Sequence, residues 1–277
     1  MVYLALAILS SMLVSVTMRL SERYIKNNVS MLAVNYLMCT LLSAAFAGGS
    51  LMPVGEGAGF TVGLGLFSGA LYLGSFLLLQ WNIGKNGVVL PATFMKLGVL
   101  VPTAMALTVF GETPTAMQLL GAAMAVAAIL LIQLERGQQR AKSRAGLVIL
   151  LLAGGSTDAT SKVFEAWGNA QHADSFLLIT FAAALVLCAL LCAVKGQRLA
   201  IKDALFGLLI GVPNYFSARF LLLSLSSVPA VIAYPTYSVA TIVLITLCGV
   251  FFFKERLSAR QKAALAVILA AIALLNL

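Results

Sequence analysis

The chain has 277 residues, of which 61% are hydrophobic and 10% charged, with a mean hydropathy of +1.03. Soluble domains carry about 45–50% apolar and about 25% charged residues, so a water-facing core cannot absorb this much apolar surface, whereas lipid can. The formal charge of +9 offers no case for a nucleic-acid partner, because no soluble basic segment exists to present it.

In chain order, apolar stretches at 3–20, 31–47, 60–80, 87–110, 115–133, 145–162, 175–193, 203–224, 229–252 and 260–276 predict ten membrane-spanning helices. Each can cross a hydrocarbon layer of about 30 Å, the shorter ones with local thinning. No basic region precedes Val2, so the first stretch reads as a helix rather than a signal peptide. Continuous apolar runs replace the alternating pattern of an outer-membrane barrel. The expected fold class is an all-α integral membrane protein, with the lipid bilayer as a partner.

The charged connector 135–144 (ERGQQRAKSR) separates residues 1–134 from 145–277. A shift of 143 positions carries Arg19 and Glu22 onto Lys162 and Glu165, and Glu112 onto Glu255, while Pro91 lands one position short of Pro235. These landmarks predict two five-helix repeats, the second inverted because five is odd. Fifteen of the 18 lysines and arginines flank odd-numbered connectors, and Lys162 is the basic residue near an even one. By the positive-inside rule the odd connectors are cytoplasmic and both termini extracytoplasmic.

Polar groups at membrane depth are costly unless paired or facing water, which makes them the candidate substrate site. Lys96 sits well inside the fourth span; it faces a cavity, snorkels or pairs with a buried carboxylate. Asp158 lies in GGSTDATSK of the sixth span, offering a carboxylate for an amine or a proton, or a salt bridge to Lys96 or Arg219. Asn214, Tyr215 and Arg219 follow Pro213 in the eighth. Tyr215 and Arg219, four apart, share a face that suits a carboxylate or phosphate, unless Arg219 reaches headgroups. Gly207 and Gly211 read as a packing surface. Tyr234 and Tyr237 bracket Pro235 in the ninth span, Tyr72 lies in the third, and Asn35 in the second serves either a cavity or a helix contact.

Glu112 and Glu255 begin turns in which Thr115 or Ser258, three residues on, can cap the next helix. Both glutamates read as structural, fixing a hairpin or a gate. Arg19 with Glu22 and Lys162 with Glu165 are spaced three apart at helix ends, as gate latches or exposed pairs of little energetic value. Trp81 and Trp167 suit interfacial anchors.

Cys39, Cys188, Cys192 and Cys248 lie in apolar stretches at no metal-site spacing, so neither metal nor disulfide is expected. His172, the single histidine, falls in a connector and is expected to be solvated. No phosphate-binding loop GxxxxGK[ST] occurs, and nothing indicates an enzyme, a cofactor or a channel filter.

The segments VLPATFMKLGVLVPTAMALTVFGETPT and VIAYPTYSVATIVLITLCGVFFFKERLS, with the five-plus-five layout, make the chain similar to the ten-helix, EamA-type members of the drug/metabolite transporter superfamily. The first segment departs from the family ending, with Thr113 where a basic residue follows the glutamate. The resemblance implies a carrier of the cell inner (plasma) membrane, its cavity lined by the first four helices of each repeat. The fifth helices would be peripheral and available for packing or dimer contacts, leaving monomer or homodimer open. Such carriers export amino acids, drugs or other metabolites, or exchange phosphorylated compounds and nucleotide sugars. Several members have cytoplasmic termini, opposite to the charge distribution here.

The expected mechanism is secondary alternating access with a small-molecule substrate. Lys96 and Arg219 against Asp158 leave one positive charge in excess, which favours an anionic or zwitterionic cargo such as an amino acid. Proton coupling through Asp158 and facilitated diffusion or exchange both remain open. The alternatives are an exporter of cationic or aromatic drugs, walled by Tyr72, Tyr215, Tyr234 and Tyr237, and a membrane receptor that moves nothing.

Overall fold

A chain in hydrocarbon must satisfy its own backbone N–H and C=O groups, and a helix does so within one segment. The structure, a computed structural model, describes residues 1–47, 51–86, 89–134, 142–254 and 258–276. Its helices are α1 (Val2–Ser21), α2 (Asn28–Phe46), α3 (Ala58–Asn86), α4 (Val89–Leu97), α5 (Leu100–Thr108), α6 (Ala116–Leu134), α7 (Arg144–Trp167), α8 (Ala173–Val194), α9 (Ile201–Leu225), α10 (Ala230–Phe253) and α11 (Ala259–Leu275). No strand occurs among the described residues. Among the described residues, eight helical segments are long and apolar enough to cross a membrane, Leu90–Thr108 counting as one; the apolar part of α6, Ala116–Leu131, is shorter. Large apolar side chains such as Leu66, Phe67, Leu152, Leu190 and Leu269 stay exposed, as suits a lipid-facing surface. Together these features point to a multi-pass membrane protein. Glu255 and most of the basic connector, 135–141, lie outside the described residues.

The helices gather into two compact units. One comprises Gly74–Lys162 and Ser224–Leu277 together with Met1, the other Val2–Leu73 and Val163–Leu223. Each unit therefore draws on both halves of the chain.

In the first unit α6 lies along α11. Ala125, Ala128 and Ile129 are buried there with Ala264, Ile268 and Ala271. A Cβ on Gly121 would stand 3.0 Å from the Ala271 carbonyl, so glycine lets the two backbones approach. Both helices start with a reciprocal cap, as the hydroxyl spacing implies. Thr115 Oγ1 accepts from the Gln118 N–H and Gln118 Oε1 from the Thr115 N–H; Ser258 and Gln261 do the same.

The continuous helix expected over 87–110 is broken at Gly98–Val99. Pro102 has no N–H to offer the carbonyl four residues back, and its ring crowds that carbonyl. The Gly98 oxygen accepts instead from Val101 N–H at 2.9 Å, closing a tighter turn. Pro213 and Pro235, by contrast, sit inside unbroken α9 and α10.

In the second unit α2 packs along α8, and α9 closes on α2 through the expected glycine surface. A Cβ on Gly207 would lie 2.6 Å from the Met31 carbonyl, and one on Gly211 2.8 Å from that of Asn35. Phe176, Phe181 and Tyr215 form the buried aromatic core. His172, expected to be solvated, is only 7% exposed. A 3-10 turn over Ala170–His172 tucks its ring inward, with Nδ1 3.5 Å from Thr61 Oγ1. Trp81 and Trp167 are both exposed.

Candidate functional site

In the first unit the break after α4 meets the glycines of α7. A Cβ on Gly98 would lie 2.9 Å from Gly155 N, and one on Gly155 would overlap the Gly98 carbonyl and Val101. Only bare backbone permits this contact, which sets the registers of Lys96, two residues before it on α4, and Asp158, three residues after it on α7. The two charges interact. Both side chains are surrounded by protein, yet Asp158 is exposed and Lys96 half-buried. The Tyr234 hydroxyl donates to the Asp158 carbonyl at 2.9 Å, fixing the α7 backbone under the carboxylate. Thr157 Oγ1 lies 3.1 Å from Ser75 Oγ. The Tyr234 ring is buried, whereas Tyr237 is half-buried.

Glu112, in the turn between α5 and α6, reaches the start of α10. Its Oε1 and Oε2 accept from the N–H groups of Ala230 and Val231, each at 2.9 Å. Lys162 Nζ lies 3.0 Å from Oε1 and 5.4 Å from the Phe110 ring centroid. Burial alone would raise the Glu112 pKa, but the two N–H donors and the Lys162 ammonium outweigh it and hold the carboxyl below its usual value. α10 begins after Pro229, which makes no side-chain cap, and a carboxylate from another turn fills that role.

In the second unit Arg219 on α9 pairs with Asp174 in the first turn of α8, Nη1 to Oδ1 at 2.6 Å. It also donates to the Tyr215 hydroxyl and stacks on Phe46 at 4.6 Å. The sequence reading gave Arg219 a substrate carboxylate or phosphate, Asp158 or the headgroups as partners and overlooked Asp174, an acidic residue beside the start of a span. With Asp174 counted, the positive excess assigned to the site disappears. Asn214 Nδ2 donates to Asn35 Oδ1 at 3.2 Å, joining α9 to α2. Tyr72 packs with Tyr36 and Phe181, ring centroids 6.1 and 5.9 Å away. Tyr215 is fully buried against Phe46 and Phe181. Arg19 and Glu22 are exposed at the end of α1, and Glu165 is half-buried near the end of α7.

The sequence candidates thus separate by unit. Lys96, Asp158, Tyr234, Tyr237, Glu112 and Lys162 fall in the first; Asn35, Tyr72, Asn214, Tyr215, Arg219, Arg19, Glu22 and Glu165 fall in the second.

Residues 175–268 match the family model described as Small Multidrug Resistance protein, a stretch from α8 into α11 and less than half of the chain. A solved structure described only as "Crystal structure of protein" is similar over 99% of this chain and 94% of its own, with a TM-score of 0.77 at 15% identity. At that identity the likeness is one of fold. No curated protein matches. The family-model match and the membrane-length helices suggest a small-molecule transporter.

Proposed function

We propose that the protein is a secondary transporter working by alternating access, whose substrate is a small zwitterion such as an amino acid. The observation that carries this reading is the interacting Lys96 and Asp158 pair, of opposite sign, on apolar helical segments of membrane-spanning length. Ionic groups held in such segments are expensive and belong to substrate or ion pathways. With Arg219 balanced by Asp174, the pair is neutral as a whole. A carboxylate set against Lys96 and an ammonium against Asp158 satisfy both charges, which a purely anionic cargo does not.

Ten spans in two inverted repeats suit this mechanism. In support, the capping boxes at Thr115/Gln118 and Ser258/Gln261 stand 143 positions apart, the same shift as the charged landmarks. The lysine and arginine bias favours the cell inner membrane with extracytoplasmic termini. Asp158 is the residue through which a proton would couple.

The test is counterflow in proteoliposomes with amino acids, organic phosphates and quaternary amines, with and without a pH gradient. Saturable amino-acid flux, lost in Lys96→Met, is the expected result; specific binding without flux overturns the transporter reading. The match to Small Multidrug Resistance protein over residues 175–268 favours a second reading, export of cationic aromatic compounds against Asp158. Flux of quaternary amines alone would establish it.

A further inference from the structure

The second unit contains a groove of about 250 Å³ that plays no part in the site above. Its walls are the apolar side chains of Ala33 and Leu37 on α2, Leu185 and Ala189 on α8; its rim is Ser30 and Gln197. Gly196, at φ +60°, turns the chain sharply at the end of α8, where a side chain would be strained. The Gln197 N–H then closes back onto the Cys192 carbonyl at 2.9 Å, which brings Gln197 over the groove. Its Oε1 accepts no hydrogen bond within the protein, and a small rotation of this half-buried side chain would present it to a donor in the groove.

The same end of this unit is strongly basic. Lys195 and Arg198 flank Gln197, and both are exposed. Arg23, Lys26 and Lys202 add three more exposed cations, against Glu22 and Asp203. The connector carrying Lys26 is tied to α9, its N–H donating to Asp203 Oδ1 at 2.8 Å. An apolar slot at the basic end of this unit, with Lys195 and Arg198 close in sequence to its rim residue Gln197, matches the two ends of a lipid with a negatively charged head.

We propose that this groove binds one phospholipid whose anionic headgroup carries a hydroxyl. An acyl chain lies between α2 and α8, the phosphate sits at Lys195 and Arg198, and a headgroup hydroxyl donates to Gln197 Oε1. A free phosphate ester satisfies the rim but leaves the apolar walls empty. Phosphatidylcholine fills the walls but brings neither net charge nor a donor.

The experiment is native mass spectrometry of the full-length protein in mild detergent, titrated with phosphatidylglycerol, phosphatidylcholine or glycerol 3-phosphate. One phosphatidylglycerol should be retained about tenfold more strongly than phosphatidylcholine, with no displacement by glycerol 3-phosphate. Lys195→Gln with Arg198→Gln, both on exposed positions, should remove most of that preference, and Gln197→Leu should weaken retention while the thermal unfolding temperature stays unchanged. Equal retention of the two lipids overturns the proposal, as does displacement by glycerol 3-phosphate or a preference untouched by the Lys195/Arg198 double variant. The readout is lipid retention, so it stands apart from any result on transport.

Discussion

Glu112 and Lys162 meet at 3.0 Å while both Glu112 oxygens also accept backbone N–H groups of α10. One side chain therefore ties the α5–α6 turn to α7 and to the first turn of α10. Replacing it by alanine strips the cap and removes the Glu112 carboxylate from the Lys162 ammonium. Glu112→Ala should cost about 1–2 kcal/mol, the range for a lost helix cap, and Glu112→Gln less. Thermal unfolding in detergent measures both.

The same residue sets a pH dependence. Its folded-state pKa lies below the ordinary 4.5, so the ionised carboxylate stabilises the fold. That contribution is complete above pH 4.5 and disappears as pH falls through the lower folded-state value. Wild type should lose more stability than Glu112→Gln on acidification below pH 4.5; parallel curves would show that Glu112 carries no such linkage.

Neighbouring glycines on α7 should respond oppositely. A Cβ on Gly155 overlaps the Gly98 carbonyl and Val101, whereas one on Gly154 meets the Met95 side chain at an ordinary 3.6 Å. Gly155→Ala should destabilise by about 1–3 kcal/mol through overpacking. Gly154→Ala should be neutral or gain up to about 1 kcal/mol from helix propensity. Paired unfolding curves decide the matter.

Lys96 and Asp158 should behave as a coupled pair. If they share one substrate, Lys96→Met and Asp158→Asn each abolish most of the flux, and the double variant is little worse than either alone. Strictly multiplicative losses in counterflow would mean that the two residues act independently.

Asp174→Asn leaves the Arg219 guanidinium with Tyr215 and Phe46 but without its counter-charge. Because the pair is partly exposed, the loss should be about 1 kcal/mol or less, and added salt should narrow the gap to wild type. Unfolding temperatures across a salt series provide the check.

The helical intervals were legible because hydrocarbon demands long uninterrupted apolar runs, and such runs are visible in one dimension. The caps at Thr115 and Ser258 were legible for a similar reason, since capping is local. The break after Leu97 was not anticipated, although Pro102 and Gly98 stand at the spacing that produces it. Partnerships across the chain were the least accessible. Arg219 and Asp174 are 45 residues apart and Glu112 and Ala230 118 apart, and no periodicity links such positions. His172 misled because a connector on paper became a buried 3-10 turn.

Trp81 and Trp167 are the chain's two tryptophans, both largely exposed, and one falls in each compact unit. The native protein thus carries one optical reporter per unit without any added label. Trp81→Phe and Trp167→Phe each leave a single emitter, so substrate, lipid and pH effects can be followed in either unit separately.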